Sequence, residues 1–305
     1  MAKNAHVQHG APELLSRRDA LLALGAAAVT TSASSLGAAS ASSTAGGVAV
    51  SNGRAGRLNQ SVARWCFART PINELCASAK NMGLMGIDLL GDTEWEVPKQ
   101  YGLQCTMGNS FGAIPVGFNR LNQHDKLVAD GLTMIPKAAA AGVQKIVVFS
   151  GNRGGMSDGE GIANCVTGLK RLMPTAEQSG VVLCMEMLNS KVDHKDYHAD
   201  HTAWAVEVAK GVNSPSFRLL YDIYHMQVME GDVMATIKAN LPWIAHFHTA
   251  GVPGRNEIDG GQELNYRGIA EFIAGTGYRG VFAHEFLPRR EGMKSLREAV
   301  EVCTV

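Results

Sequence analysis

Four short runs in the second half of the chain each close an apolar stretch with a side chain able to grip a cation. They are Leu183-Cys184-Met185-Glu186, Leu220-Tyr221-Asp222, His246-Phe247-His248 and Ala283-His284-Glu285. The closing residues stand 36, 26 and 37 positions apart, the length of one strand-and-helix unit, so the four can converge on one point. Three carboxylates cannot share a small apolar pocket as anions without a cation among them. Two Glu, one Asp and one imidazole form a mixed oxygen and nitrogen set, which suits Mg²⁺, Mn²⁺ or Co²⁺ better than a thiolate site would. A lone acid at a strand end is ordinarily a helix N-cap or an ion-pair partner, and a lone His a hydrogen-bonded core residue. The same pattern at four successive strand ends points to one divalent ion.

These ends must be carried by regular elements. β-rich apolar runs occupy 61–67, 86–90, 103–108, 145–150, 181–187, 218–223, 244–249 and 280–286, and amphipathic stretches at 73–82, 126–141, 161–178, 202–210 and 264–275 lie between them. Several of the helical stretches hand over to a strand through glycine, as in Ala141-Gly142-Val143 and Gly180-Val181, the expected C-terminal cap. Eight strands alternating with helices predict a single α/β domain, a closed (β/α)₈ TIM barrel whose active-site groups sit at the C-terminal strand ends. A doubly wound open sheet is the competitor. It would carry a glycine-rich fingerprint after its first strand, where this chain reads Trp65-Cys66-Phe67-Ala68-Arg69.

Composition narrows the partners. The 305 residues hold 28 basic and 28 acidic side chains, so no clustered basic excess marks a nucleic-acid binder. The segment 11–50 is almost all small residues and contains Ser16-Arg17-Arg18-Asp19-Ala20, a short apolar run at 20–29 and Ala39-Ser40-Ala41. That order predicts a twin-arginine export signal over 1–41, a linker over 42–56 and the catalytic barrel over 57–305. Ala20 departs from the pattern, since such signals often carry Phe there. The alternative is a low-complexity tail. The apolar run is shorter than the roughly 20 residues that span a bilayer, so no stable membrane anchor is expected. The expected location is the periplasm, or the cytoplasm if the signal is not used. The six cysteines, Cys66, Cys76, Cys105, Cys165, Cys184 and Cys303, form no Cys-x-x-Cys pair, and no structural disulfide is expected.

The run Tyr221-Asp222-Ile223-Tyr224-His225-Met226-Gln227-Val228-Met229-Glu230-Gly231-Asp232 resembles the strand-six signature of the hydroxypyruvate isomerase family, among the xylose-isomerase-like barrels. The run His246-Phe247-His248-Thr249-Ala250-Gly251-Val252-Pro253-Gly254-Arg255-Asn256-Glu257, with Glu263-Leu264-Asn265-Tyr266 after it, is similar to that family's strand-seven loop. The resemblance covers roughly 60–300. It implies that Glu186, Asp222, His248 and Glu285 are the metal ligands, that Glu186 and Glu285 double as the acid–base pair, and that His225 and Arg255 contact the substrate. One departure stands out: hydroxypyruvate isomerases often place Gln where His248 stands, while the related ketose 3-epimerases use His.

The chemistry expected is an aldose–ketose type isomerisation of a small hydroxy-carbonyl acid or sugar, such as hydroxypyruvate to tartronate semialdehyde, through an enediolate. His225 would polarise a substrate oxygen, and the planar fork of Arg255 would hold a substrate carboxylate. Asp193 and His194, just beyond Glu186, would orient the ligands, His194 also reaching the substrate. The loop Gly151-Asn152-Arg153-Gly154-Gly155 lacks the Gly-Lys-Ser/Thr ending of a P-loop and reads as a mobile active-site loop. Rival readings are a sugar 3-epimerase on the same metal barrel, a metal-dependent endonuclease, which the neutral charge disfavours, and a non-catalytic periplasmic carbohydrate-binding barrel. The partner is a small molecule, and homo-oligomerisation is left open.

Overall fold

The computed structural model describes residues 57–305, and the expected export signal and linker lie outside the described residues. Eight strands follow in chain order: β1 (Asn59–Ala63), β2 (Gly86–Asp88), β3 (Gln104–Cys105), β4 (Lys145–Val148), β5 (Val182–Glu186), β6 (Phe217–Asp222), β7 (Ile244–Thr249) and β8 (Val281–His284). All are parallel, in the order β3-β2-β1-β8-β7-β6-β5-β4. The two ends of that order meet at Gly108, whose N–H donates to the Lys145 carbonyl at 2.8 Å and whose carbonyl accepts from the Val147 N–H at 3.1 Å. A Cβ at Gly108 would stand 3.1 Å from the Trp95 ring, so the seam is held by a residue without one. The expected barrel is present.

Its helices are α1 (Ile72–Met82), α2 (His124–Ala140), α3 (Asp158–Lys170), α4 (Met173–Ser179), α5 (Thr202–Val212), α6 (Ile223–Met229), α7 (Val233–Asn240), α8 (Tyr266–Gly275) and α9 (Gly292–Cys303). Several boundaries differ from expectation, among them the third strand, which covers only Gln104–Cys105 of the expected 103–108, and two differences bear on the site and its packing. The single helix expected over 161–178 is broken at Arg171-Leu172, where Pro174 has no N–H to continue the ladder. The first strand stops at Ala63 rather than running to 67, and Trp65–Phe67 form a 3₁₀ turn that carries the indole over the barrel mouth.

Alternation along the strands sorts the core into two layers. Ala63, Leu89, Met107, Val147, Cys184 and Leu220 fill the barrel interior. Outward-facing residues such as Phe217, Phe247 and Phe282 pack beneath the helices. All six cysteines are free thiols, and five of them are buried, as small core side chains. Among the described residues no helix is long and apolar enough to cross a membrane.

Candidate metal centre

Register assembles the site. Glu186 is the last residue of β5, Asp222 the last of β6, His248 the penultimate residue of β7, and Glu285 follows β8 directly. β6 pairs with β7 so that Asp222 stands beside His248, and the Glu285 N–H donates to the Thr249 carbonyl at 2.9 Å. All four side chains are buried, and their ligand atoms lie within 4.8 Å of one another. The convergence expected from the spacing is present.

Each donor is aimed by its neighbours. Asp222 Oδ1 caps α6, accepting from the Tyr224 N–H at 2.8 Å and the His225 N–H at 3.3 Å, which leaves Oδ2 for the cluster. His248 Nδ1 lies 2.9 Å from Glu285 Oε2 and 3.2 Å from Glu186 Oε1. The Trp65 indole N–H donates to Glu285 Oε1 at 2.6 Å. Arg255, in the left-handed backbone region at φ 58°, lies over Trp65 and Tyr224 and donates from Nη2 to Glu285 Oε2 at 2.6 Å.

The charges are out of balance. Burial pushes Asp222 up to about 7 even with Arg255 opposing it, and burial also raises Glu186. Burial would raise Glu285 as well, but Arg255 and then His248 override it and hold that carboxyl well below the usual range. Burial disfavours the imidazolium of His248, yet Glu285, Asp88 and Glu186 around it lift its pKa well above the ordinary value. Three buried carboxylates converging on one imidazole nitrogen form a donor set that fits a divalent cation such as Mg²⁺, Mn²⁺ or Co²⁺.

Of the expected substrate contacts, Arg255 and His194 line the cavity, while His225 is buried beside Asp222. His225 Nδ1 accepts from the Asn189 side-chain amide at 2.7 Å and from its backbone N–H at 3.2 Å, so the proton of the neutral ring resides on Nε2. Burial, then Arg255, hold the His225 pKa well below the ordinary value. Its Nε2 lies 3.6 Å from Asp222 Oδ2 and has no hydrogen-bond partner among the described residues, nor has His194 Nε2. Asp193 does not touch the ligands. It accepts from Asn189 at 2.6 Å and from the Tyr224 hydroxyl at 2.7 Å, and so steadies His225 through Asn189. Trp65, Glu186, His194, Arg255 and Glu285 line a cavity of about 540 Å³ whose other wall is Leu89, Ile114, Val147, Phe149 and Leu188.

The loop at 151–155 takes no part in that cavity. Arg120 donates to the Asn152 and Arg153 carbonyls, and Asp196 accepts from the Gly154 N–H, which ties the loop down beside the barrel. Sequence reasoning passed over Asp88, whose Oδ2 is 2.9 Å from His248 Nε2, and also Trp65, Asn189 and Tyr224. Asp88 had a usable signal, since Gly86-Ile87-Asp88 is a strand closed by an acid, as are the strands at Glu186, Asp222 and Glu285.

The family model described as Xylose isomerase-like TIM barrel matches residues 95–304. The chain belongs to this family. The chain is 34% identical over 114 residues to the 2-oxo-tetronate isomerase of Cupriavidus necator, a match covering 37% of this chain and 43% of that protein. It is 29% identical over 161 residues to the hydroxypyruvate isomerase of Escherichia coli, covering 52% and 62%. The chain thus spans about half the length of the curated relatives it matches. Among solved structures, AP endonuclease, family 2 from Brucella melitensis superposes with a TM-score of 0.69 at 22% identity over 79% of this chain and 97% of that one. D-psicose 3-epimerase from Clostridium cellulolyticum superposes with a TM-score of 0.67 at 14% identity over 81% and 100%. At those identities the likeness is one of fold.

Proposed function

We propose that the chain is a divalent-metal-dependent isomerase that moves a carbonyl between adjacent carbons of a small hydroxy-carbonyl acid, of the hydroxypyruvate to tartronate semialdehyde type. The observation that carries this reading is the pair of buried glutamates, Glu186 and Glu285, 3.2 and 2.9 Å from one His248 nitrogen. Partial matches to a hydroxypyruvate isomerase and a 2-oxo-tetronate isomerase support the substrate class.

Glu186, Asp222, His248 and Glu285 would hold the ion, Mg²⁺, Mn²⁺ or Co²⁺. It would supply a Lewis acid that polarises the carbonyl and hydroxyl oxygens of the substrate. Two carboxyls on neighbouring sides of one buried cluster can divide the work of base and acid. Glu285 takes the proton from the carbon beside the carbonyl, and Glu186 returns one to the neighbouring carbon. His225 donates from Nε2 to an oxygen of the enediolate, with His194 as a second imidazole at the rim. Arg255 holds the substrate carboxylate through its planar fork.

A ketose 3-epimerase is the second reading. The cavity of about 540 Å³ supports it, being large for a three-carbon acid. Incubation in D₂O with hydroxypyruvate and, separately, with a ketohexose, followed by NMR, distinguishes them. Deuterated tartronate semialdehyde is the expected product. A ketohexose inverted and deuterated at C3, with hydroxypyruvate untouched, would replace the isomerase reading with the epimerase one.

A further inference from the structure

His248 has two ring nitrogens, and the ligand set accounts for only one of them. Nδ1 faces Glu186 and Glu285, while Nε2 points to the far side, 2.9 Å from Asp88 Oδ2. Asp88 closes β2, across the barrel interior from β7, and is fully buried. Its other oxygen, Oδ1, accepts the Thr106 hydroxyl at 2.5 Å and stands 3.1 Å from His246 Nε2. The Thr106 hydroxyl also lies 3.0 Å from Ser61 Oγ. A carboxylate with these partners cannot rotate without leaving buried polar groups unpaired, which is costly in so dry a place.

His246 and His248 are both on the inward face of β7, two residues apart, so Asp88 meets one imidazole from each of two interior layers. In a neutral imidazole only one nitrogen carries the proton, and the hydrogen bond made there decides which nitrogen is left to bind. We infer that Asp88 is a positioning residue that holds the Nε2–H of His248, so that Nδ1 is the nitrogen presented to the metal. It touches neither ion nor substrate. Its carboxylate does for the ligand imidazole what a carboxylate beside a metal-bound histidine does generally, fixing ring orientation and tautomer. The inference rests on the metal reading of the site. The alternative for Asp88, His246 and His248, whose ligand atoms also cluster, is a second cation site that shares His248.

The test uses the full chain, stripped of metal and titrated calorimetrically with Mn²⁺, as wild type, Asp88→Asn and Asp88→Leu. Wild type is expected to take up one ion. Asp88→Leu keeps the branched outline, with bulkier methyls in place of the oxygens, but offers no acceptor, and its affinity is expected to fall about 10–100-fold. In Asp88→Asn the amide oxygen still accepts from Nε2, and affinity is expected to return to within a few-fold of wild type. In the Mg²⁺-loaded wild type, ¹⁵N spectra are expected to show His248 protonated on Nε2 alone, a signature that a packing role would not produce. A folded Asp88→Leu with wild-type affinity overturns the inference. So does a second Mn²⁺ that requires Asp88. Should Asp88→Leu fail to fold, the wild-type spectrum decides, and a His248 protonated on Nδ1 or exchanging between tautomers rejects the role. If wild type takes up no Mn²⁺, the metal reading falls and this inference with it; every other negative result removes this inference alone.

Discussion

Arg255 Nη2 lies 2.6 Å from Glu285 Oε2 and 3.4 Å from Asp222 Oδ2, so one guanidinium reaches two of the four oxygen and nitrogen donors of the candidate metal centre. Arg255 is the guanidinium that offsets the buried carboxylates there, and an ion held as proposed would share the same oxygens. Removing one partner from such a buried set leaves uncompensated charge, at a cost of about 3–5 kcal/mol. Metal-stripped Arg255→Gln is therefore expected to unfold at a clearly lower urea concentration than wild type. Saturating Mn²⁺ should restore more stability to the variant than it adds to wild type. An equal Mn²⁺ increment in both proteins would show that guanidinium and ion do not share these partners.

Glu285→Gln keeps the shape of the side chain and an oxygen for the Trp65 indole to bond, but it cannot accept a proton from carbon. Far-UV circular dichroism should be unchanged. With the metal site saturated, kcat is expected to fall by at least about 10²-fold, the usual contribution of a positioned base. Wild-type turnover in the reconstituted variant would remove Glu285 from the acid–base pair.

Much of this was legible beforehand because it depends on local pattern. Alternating strand and helix runs specify the barrel, and a polar residue closing each of strands five to eight specifies the buried four-residue cluster, since register then places strand ends side by side. What was not legible depends on contacts across the barrel. Asp88 is 160 positions from His248, and only closure of the sheet brings them together. Trp65 reads as strand until the chain turns at Arg64, whose N–H donates to the Asp88 carbonyl, and carries the indole to Glu285. The loop at 151–155 misled for a related reason. Its glycines suggest freedom, whereas Arg120 and Asp196, distant in sequence, hold it in place.

Asn189 links Asp193 to His225 through one side-chain amide, with its N–H bonds at 2.6 and 2.7 Å. Asn189→Leu removes both and leaves only the longer backbone N–H bond, at 3.2 Å, to hold His225 Nδ1. One lost hydrogen bond of this kind is worth about 1 kcal/mol, so kcat/KM is expected to fall roughly 5- to 10-fold. Mn²⁺ affinity should stay at the wild-type value, because His225 is not a ligand. A large loss of Mn²⁺ affinity would instead mean that the amide supports the ligand set itself.

His284 gives a pH dependence with a definite sign. It is fully buried, with Nε2 2.8 Å from Gln60 Oε1 and Nδ1 3.0 Å from the Thr249 hydroxyl, an arrangement that suits the neutral ring. Burial pushes its pKa down to about 3, against an ordinary value of about 6.5 in the unfolded chain. Above about pH 6.5 the ring is neutral in both states, and its contribution to stability is fully present. From there down to about pH 3 the unfolded chain binds a proton that the native chain refuses, so stability falls as pH falls, by up to about 1.4 kcal/mol per unit. Below that no further loss arises from this group. Asp222, raised to about 7, works in the opposite direction over the same range, so the test is the difference between two proteins. Between pH 7 and pH 5 the urea midpoint of metal-free His284→Gln, which has no ring to protonate, should rise relative to that of wild type. The same change in both proteins would assign the acid sensitivity to other groups.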